Sequence, residues 1–378
     1  LQEAPAEHPT LRTHRLAVGL YDVADGGLVR RERLELDVSG ERTALPQLSG
    51  RPAADVLLVN DEDLTYAKLR LDARTAATVR DHIAGFDSPL TRALCWTAAW
   101  DATRDAELPA RDYLAQAVAG LPTENDVNLV TVTLRQAMAC LAQYADPAWA
   151  PEGWSMLATA AGDAVATAEP GSGLQLAWAR AYASAARDDA DLAVLRGWLD
   201  GDGVPKGLAV DTGVRWTVLQ SLIAAGAAEP AEIDAELERD PTASGQIEAV
   251  RARAEIPTPE GKETAWRDMT GDKGLSNSVR RSIALGFQHP AQVELTAPYA
   301  SRFFDEVGPI WATWDSDPAQ VFAILLYPAY QVSADTVAAT DAWLAEPDHP
   351  AGLRRLVAEG RDGVLRALAA RARDAAAG

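Results

Sequence analysis

The chain has 378 residues, is 48% hydrophobic and 24% charged, and carries a formal net charge of −20. That balance supports a sizeable buried core and length for two or three domains, and it excludes a disordered chain. The acid excess repels phosphate backbones, which excludes nucleic acid as a partner, and the roughly 18-residue apolar run needed to cross a bilayer is missing, which excludes a membrane-spanning helix.

The start, Leu1-Gln2-Glu3-Ala4, has neither an initiator Met nor a basic n-region, so the chain reads as trimmed or excised. Leu16, Val18 and Leu20 alternate with Arg15, Ala17 and Gly19, the period-2 pattern of a half-buried strand. Asp25-Gly26-Gly27 supplies the positive φ of a tight hairpin, and Leu34, Leu36 and Val38 alternate on the return. Ser39-Gly40 marks a further turn, and Val56-Leu57-Leu58-Val59 reads as a strand buried on both faces. So few strands seldom make a sheet with both faces covered, so either the sheet packs on the helices or strands are lost upstream of Leu1, and the missing Met favours the second.

From about residue 75 the period changes to 3.6. Leu90 to Thr103 is apolar on nearly every side and predicts a helix inside an array. Leu134, Ala137, Met138 and Leu141 share one helical face, as do Val218, Leu219, Leu222 and Ile223. Asp211 stands at an N-cap, Gly226 at a C′ position, and Pro257 and Pro259 before the helix of Trp266. About a dozen helices with short loops and no strict period predict an irregular HEAT/armadillo-like superhelix after a small, partly truncated β-sandwich piece, a mainly α fold.

Candidate chemistry is sparse. The five histidines, His8, His14, His82, His289 and His349, include no pair at i, i+4 and no zinc-peptidase motif. No G-x-S-x-G elbow is present. Cys95 and Cys140 read as buried reduced thiols, in keeping with a cytoplasmic protein. Gly201-Asp202-Gly203-Val204-Pro205-Lys206-Gly207 lacks the Ser or Thr of a phosphate loop and reads as an inter-helix turn. Asp61-Glu62-Asp63 reads as a strand exit, and both it and Asp188-Asp189-Ala190-Asp191 lack the spacing of a magnesium site. The eleven Trp residues, spread along the helices, read as core. Arg280-Arg281 is either a fork for a peptide carboxylate or a solvated helix face.

Val59-Asn60-Asp61-Glu62-Asp63-Leu64-Thr65-Tyr66-Ala67-Lys68-Leu69-Arg70-Leu71-Asp72 resembles the segment where M1-family zinc aminopeptidases pass from β-sandwich to helical domain. In order there follow Ser88 to Leu94, Gly207 to Asp211 with Arg215-Trp216, Asp240 to Gly245, Lys262 with Trp266, Ser276-Asn277 and Gly286-Phe287, all similar to that family, and most like its actinobacterial members. The resemblance runs from about residue 12 to the end. It implies that residues 1–63 close a β-sandwich domain and 64–378 form the helical C-terminal domain. It also implies that this chain holds no catalytic residue, metal ligand or cofactor. Zinc and the reacting groups would belong to the catalytic domain of the same polypeptide, whose peptide substrates a helical bowl would cap, gate and hold. Arg280, Arg281, Gln288 and Arg302 would line that bowl. Two other classes remain: a stand-alone helical-repeat scaffold for a protein partner, and a helical enzyme using acidic metal ligands.

Overall fold

The computed structural model describes residues 1–5, 8–24, 26–271 and 274–378. They form two compact units, one of Leu1–Leu108 with Asp112–Gln136, the other of Pro109–Arg111 with Ala137–Gly378.

In the first unit β1 (His14–Ala24), β2 (Gly27–Val38) and β3 (Val56–Asp61) form an antiparallel sheet in the order β2-β1-β3. Leu16 faces Leu36 and Val18 faces Leu34, the register that the alternation predicts. Gly26 adopts φ +80° and Gly40 φ +65°, as turns there require. Asp25 of the predicted hairpin lies outside the described residues.

One expectation is overturned. β3 is an edge strand and Val59 is 37% exposed, whereas the strand buried on both faces is β1, from Leu16 to Tyr21. Ala17 and Gly19 looked like the solvent half of an alternation, but Ala17 is fully buried, and the missing side chain of Gly19 is what lets Asp61 and Tyr21 pack beneath it: a Cβ there would overlap the Asp61 carboxylate. Leu16, Val18 and Leu20 pack instead against Leu48, Ala54 and Leu57.

Helices α1 (Ala73–His82), α2 (Pro89–Arg104), α3 (Ala110–Gly120) and α4 (Val127–Ala139) follow. Ser88 caps α2 by accepting from the Thr91 N–H at 3.3 Å, and Pro89 occupies its first turn. Cys95, Trp96, Ala98 and Ala99 are buried around its circumference.

The second unit holds α5 (Ala150–Thr167), α6 (Gly173–Ala185), α7 (Asp189–Asp200), α8 (Thr212–Ala224), α9 (Pro230–Arg239), α10 (Ala243–Ala254), α11 (Pro259–Gly271), α12 (Asn277–Phe287), α13 (Val293–Thr296), α14 (Tyr299–Thr313), α15 (Ser316–Leu325), α16 (Ala334–Ala345) and α17 (Ala351–Ala375). Seventeen α-helices among the described residues exceed the dozen expected. Helices α6, α8, α10, α12, α15 and α17 touch in succession, with α7, α9 and α11 packed against that row. Buried Ala179, Ala249, Ala252 and Ala284 bring the row close, and a Cβ on Gly286 would overlap the Arg251 carbonyl. Val218, Leu219, Leu222 and Ile223 of α8 are buried, Asp211 caps it by accepting from Val214 N–H at 2.9 Å, and Gly226 follows at φ +71°.

Late in the unit an aromatic core joins Trp266, Phe287, Tyr299, Phe303, Phe322 and Tyr327. The end of α17 returns to the unit's first residues: buried Asp374 accepts from the backbone N–H groups of Arg111 and Asp146, each at 2.8 Å. No described helix is long and apolar enough to cross a membrane.

Candidate functional site

The residues behind the family resemblance form a set of buried polar ties. In the first unit, Asn60, Glu62 and Asp63 all take positive φ, a tight exit from β3. The Asn60 side chain accepts from Thr65 N–H at 3.0 Å and donates to Thr65 O at 2.8 Å, which closes that exit. Asp61, fully buried, accepts from the Tyr21 hydroxyl at 2.9 Å and from Arg30 at 3.0 Å. Its carboxylate is thus used in holding sheet to turn. Arg92 on α2 donates Nε and Nη2 to Glu124 at 2.7 and 2.8 Å, with Nη1 on the Phe86 carbonyl at 2.6 Å.

The second unit repeats the device. Arg215 donates Nε and Nη2 to Glu236 at 2.8 and 2.7 Å and Nη1 to Leu199 O at 3.0 Å. Trp216 Nε1 donates to Asp240 at 3.0 Å. Thr242 and Trp216 together hold the Asp240 carboxyl below the usual carboxylate range. Lys262, fully buried, donates Nζ to the carbonyls of Ala254, Gly286 and Phe287 at 2.8, 3.2 and 3.1 Å, joining the ends of α10 and α12. Gln292 Nε2 joins the carbonyls of Ala224 and Glu255.

The four residues expected to line a bowl are all in the second unit, in different settings. Arg280 is 1% exposed; Nη1 donates to Met269 O at 2.8 Å, and its guanidinium lies 4.1 Å from the Trp314 ring centre. Arg281, next in the chain, is exposed. Gln288 is half-buried and donates to Tyr327 O at 3.1 Å. Arg302 pairs with Glu263 at 2.6 Å and lies over Trp266 and Tyr299 at 5.2 and 5.1 Å. That pairing keeps the Glu263 carboxyl below its ordinary range. Gln288, Trp266, Tyr299 and Gln331 border one cleft, with room for about one water molecule. Neither arginine of the 280–281 pair borders it.

Other sequence candidates have structural duties. Asp188 caps α7 by accepting from Asp191 N–H at 2.8 Å, and Asp191 accepts from the Tyr182 hydroxyl at 2.8 Å. Gly201, Gly203 and Gly207 have positive φ in the turn between α7 and α8. Cys95 and Cys140 are both buried and unpaired; burial pushes the Cys95 thiol up to about 12. No three His, Cys, Asp or Glu residues among those described are placed to hold a metal ion.

The model of the ERAP1-like C-terminal domain family matches residues 56–366, most of the chain and starting at the first residue of β3. The chain belongs to the ERAP1-like C-terminal domain family. It is also 47% identical over 383 aligned positions to the aminopeptidase N of Streptomyces lividans, which it matches along its whole length while covering 45% of that relative. The chain therefore spans less than half of the relative it matches.

In this family member the ordered motifs of the helical region supply the cross-links described above. Spacing did not mark one further residue, Arg187, which stacks on Trp154 with its guanidinium 4.4 Å from the ring centre. The acidic run directly after it, Asp188 to Asp191, masked it as part of a solvated charged stretch.

Proposed function

We propose that this chain is the non-catalytic C-terminal region of a cytoplasmic, zinc-dependent aminopeptidase that removes N-terminal residues from peptides. Residues 1–63 complete its β-sandwich and residues 64–378 form a helical-repeat bowl that caps the active site, gates access and holds the peptide. The match to an aminopeptidase N across this whole chain carries the reading. In this reading the metal and the reacting groups belong to the catalytic domain of the same polypeptide, within the part of the relative that this chain does not span.

The cap would act by excluding water and folded protein from the site and by positioning the substrate chain. Arg281, Gln288 and Arg302 would contact the peptide, and buried Arg280 would hold the segment that carries Arg281. Two measurements test this. The purified chain with added Zn²⁺ should not hydrolyse aminoacyl-anilides, and turnover that survives further purification would end the reading. In the complete polypeptide, Arg281→Ala and Arg302→Ala should raise KM for peptides of about ten residues while leaving single-residue anilides unchanged; equal effects on both would remove these residues from the peptide path.

A further inference from the structure

The sequence holds the pairs Asp25-Gly26, Asp200-Gly201, Asp202-Gly203 and Asp362-Gly363. Asp25 lies outside the described residues. The other three pairs have the same chemistry but different backbones. In an Asp-Gly pair the glycine amide nitrogen can attack the aspartate Cγ, because glycine puts no side chain in the way and lets the main chain turn toward it. A hydrogen bond that fixes the amide opposes that attack, and so do helical dihedrals.

Gly363 lies inside α17, where its N–H belongs to the helix ladder, and Asp362 pairs with Arg366 at 3.1 Å. Gly201 ends α7 with its N–H on the carbonyls of Gly197 and Trp198. Asp202 N–H returns to Gly197 O at 2.8 Å and completes that cap. The next amide differs. Gly203 N–H has no hydrogen-bond partner among the described residues, and the Asp202 carboxylate has neither a donor nor an ion pair among them. Asp202 and Gly203 are both exposed, and Gly203 takes φ +62°. A Cβ at 203 would meet nothing within 4 Å, so no other group crowds the pair.

We propose that Asp202-Gly203 is a site of spontaneous isomerisation to isoaspartate, whereas Asp200-Gly201 and Asp362-Gly363 are protected by the bonds on their glycine amides. Gly203 N forms a bond to Asp202 Cγ. A Cγ–O bond breaks, and that oxygen leaves as water, taking the amide proton and the proton of the carboxylic acid. The product is a cyclic imide. Water then opens it at either carbonyl. Opening at Cγ restores aspartate; opening at the Asp202 main-chain carbonyl leaves Gly203 joined through Cγ, the isoaspartyl form. The sum is an isomerisation that consumes no oxidant, reductant or cofactor. It lengthens the main chain by one methylene and frees an α-carboxylate. The turn confines the change: α7 is capped before it, and after it Lys206 O is held by Gln175 Nε2 at 3.0 Å while Gly207 lies against Pro170. The site does not depend on the peptidase reading.

The test is peptide mapping of the full chain aged at neutral pH, with isoaspartate counted by enzymatic carboxyl methylation and by resistance to a protease that cuts before aspartate. Residue 202 should accumulate isoaspartate at least about tenfold faster than residue 362, because a helix interior must open before it can react. It should also outpace residue 200, two positions away and equally exposed. Ageing in urea, where all three glycine amides are free, should bring the three rates together. Asp202→Asn, which loses ammonia in place of water through the same imide, should raise the yield at 202. The variant lies in an exposed turn, so folding is not at stake. Equal rates at 200, 202 and 362 in the folded chain, no isoaspartate at 202, a spread that persists in urea, or an Asn variant no faster than Asp202 would each overturn the assignment.

Discussion

Replacing Glu124 by Gln would leave the Arg92 guanidinium charged with no charged partner at a site where the two side chains are 7% and 3% exposed. Breaking one member of a buried pair costs about 3–5 kcal/mol, most of it the penalty of the stranded charge, whereas removing both members costs far less. Here Arg92 also donates to Phe86 O, which removing the arginine would free, whereas Glu124 accepts from the N–H groups of Asn125 and Asp126 at 2.8 and 3.0 Å through one oxygen, which a glutamine amide oxygen can replace. Glu124→Gln is therefore expected within that range from the stranded charge alone. The double variant Arg92→Met with Glu124→Gln should cost no more than Glu124→Gln alone. The assay is a urea series read by hydrogen exchange in α2, which follows the first unit without assuming that the whole chain unfolds in one step. A loss below about 1 kcal/mol for Glu124→Gln, or a double variant equal to the sum of the singles, would refute the argument that the pair acts as one unit.

The same carboxylate gives a pH dependence. Burial acts to raise the Glu124 pKa, but Arg92 and the two backbone N–H groups outweigh it and hold it below the ordinary value. The contribution is present above the unfolded carboxylate pKa and lost as pH falls through the folded one, so the Tm gap between wild type and Glu124→Gln should close in acid. Lys262→Met strands three carbonyls at the ends of α10 and α12 and should cost about 3 kcal/mol or more, read as faster hydrogen exchange in both helices. Gly245→Ala places a Cβ onto the Asp240 carbonyl, which the backbone must move to avoid; a drop of several degrees in Tm is expected, and an unchanged Tm would mean that the turn before α10 yields freely.

Much of this fold was legible because the chain keeps simple periods. Leu16, Val18 and Leu20 showed one face of β1, and the Asp211–Gly226 punctuation located α8. The second face of β1 was hidden because Gly19 lacks a side chain for a reason that only Asp61 beneath it reveals. The π-turn Cys140–Tyr144 that continues α4 has no compositional mark. Among the site residues, type and order revealed the family, but not which arginines are buried. Arg280 and Arg281 are neighbours in sequence, yet a 100° step around α12 sends one into the core and the other to solvent. Arg187 was obscured by the opposite effect: a run of exposed acids drew attention from the cation before it.

The Asp374 contacts tie residues 263 and 228 positions apart, so the second unit encloses its own beginning within its end. During synthesis the 110–146 region leaves the ribosome long before its carboxylate partner does. The intervening helices can form and stack as they emerge, because their contacts are between near neighbours in the chain. Closure at Arg111 and Asp146 must wait for the last turn of α17. A nascent chain stalled short of Asp374 would thus hold the rest of the array with the backbone donors of Arg111 and Asp146 lacking that acceptor.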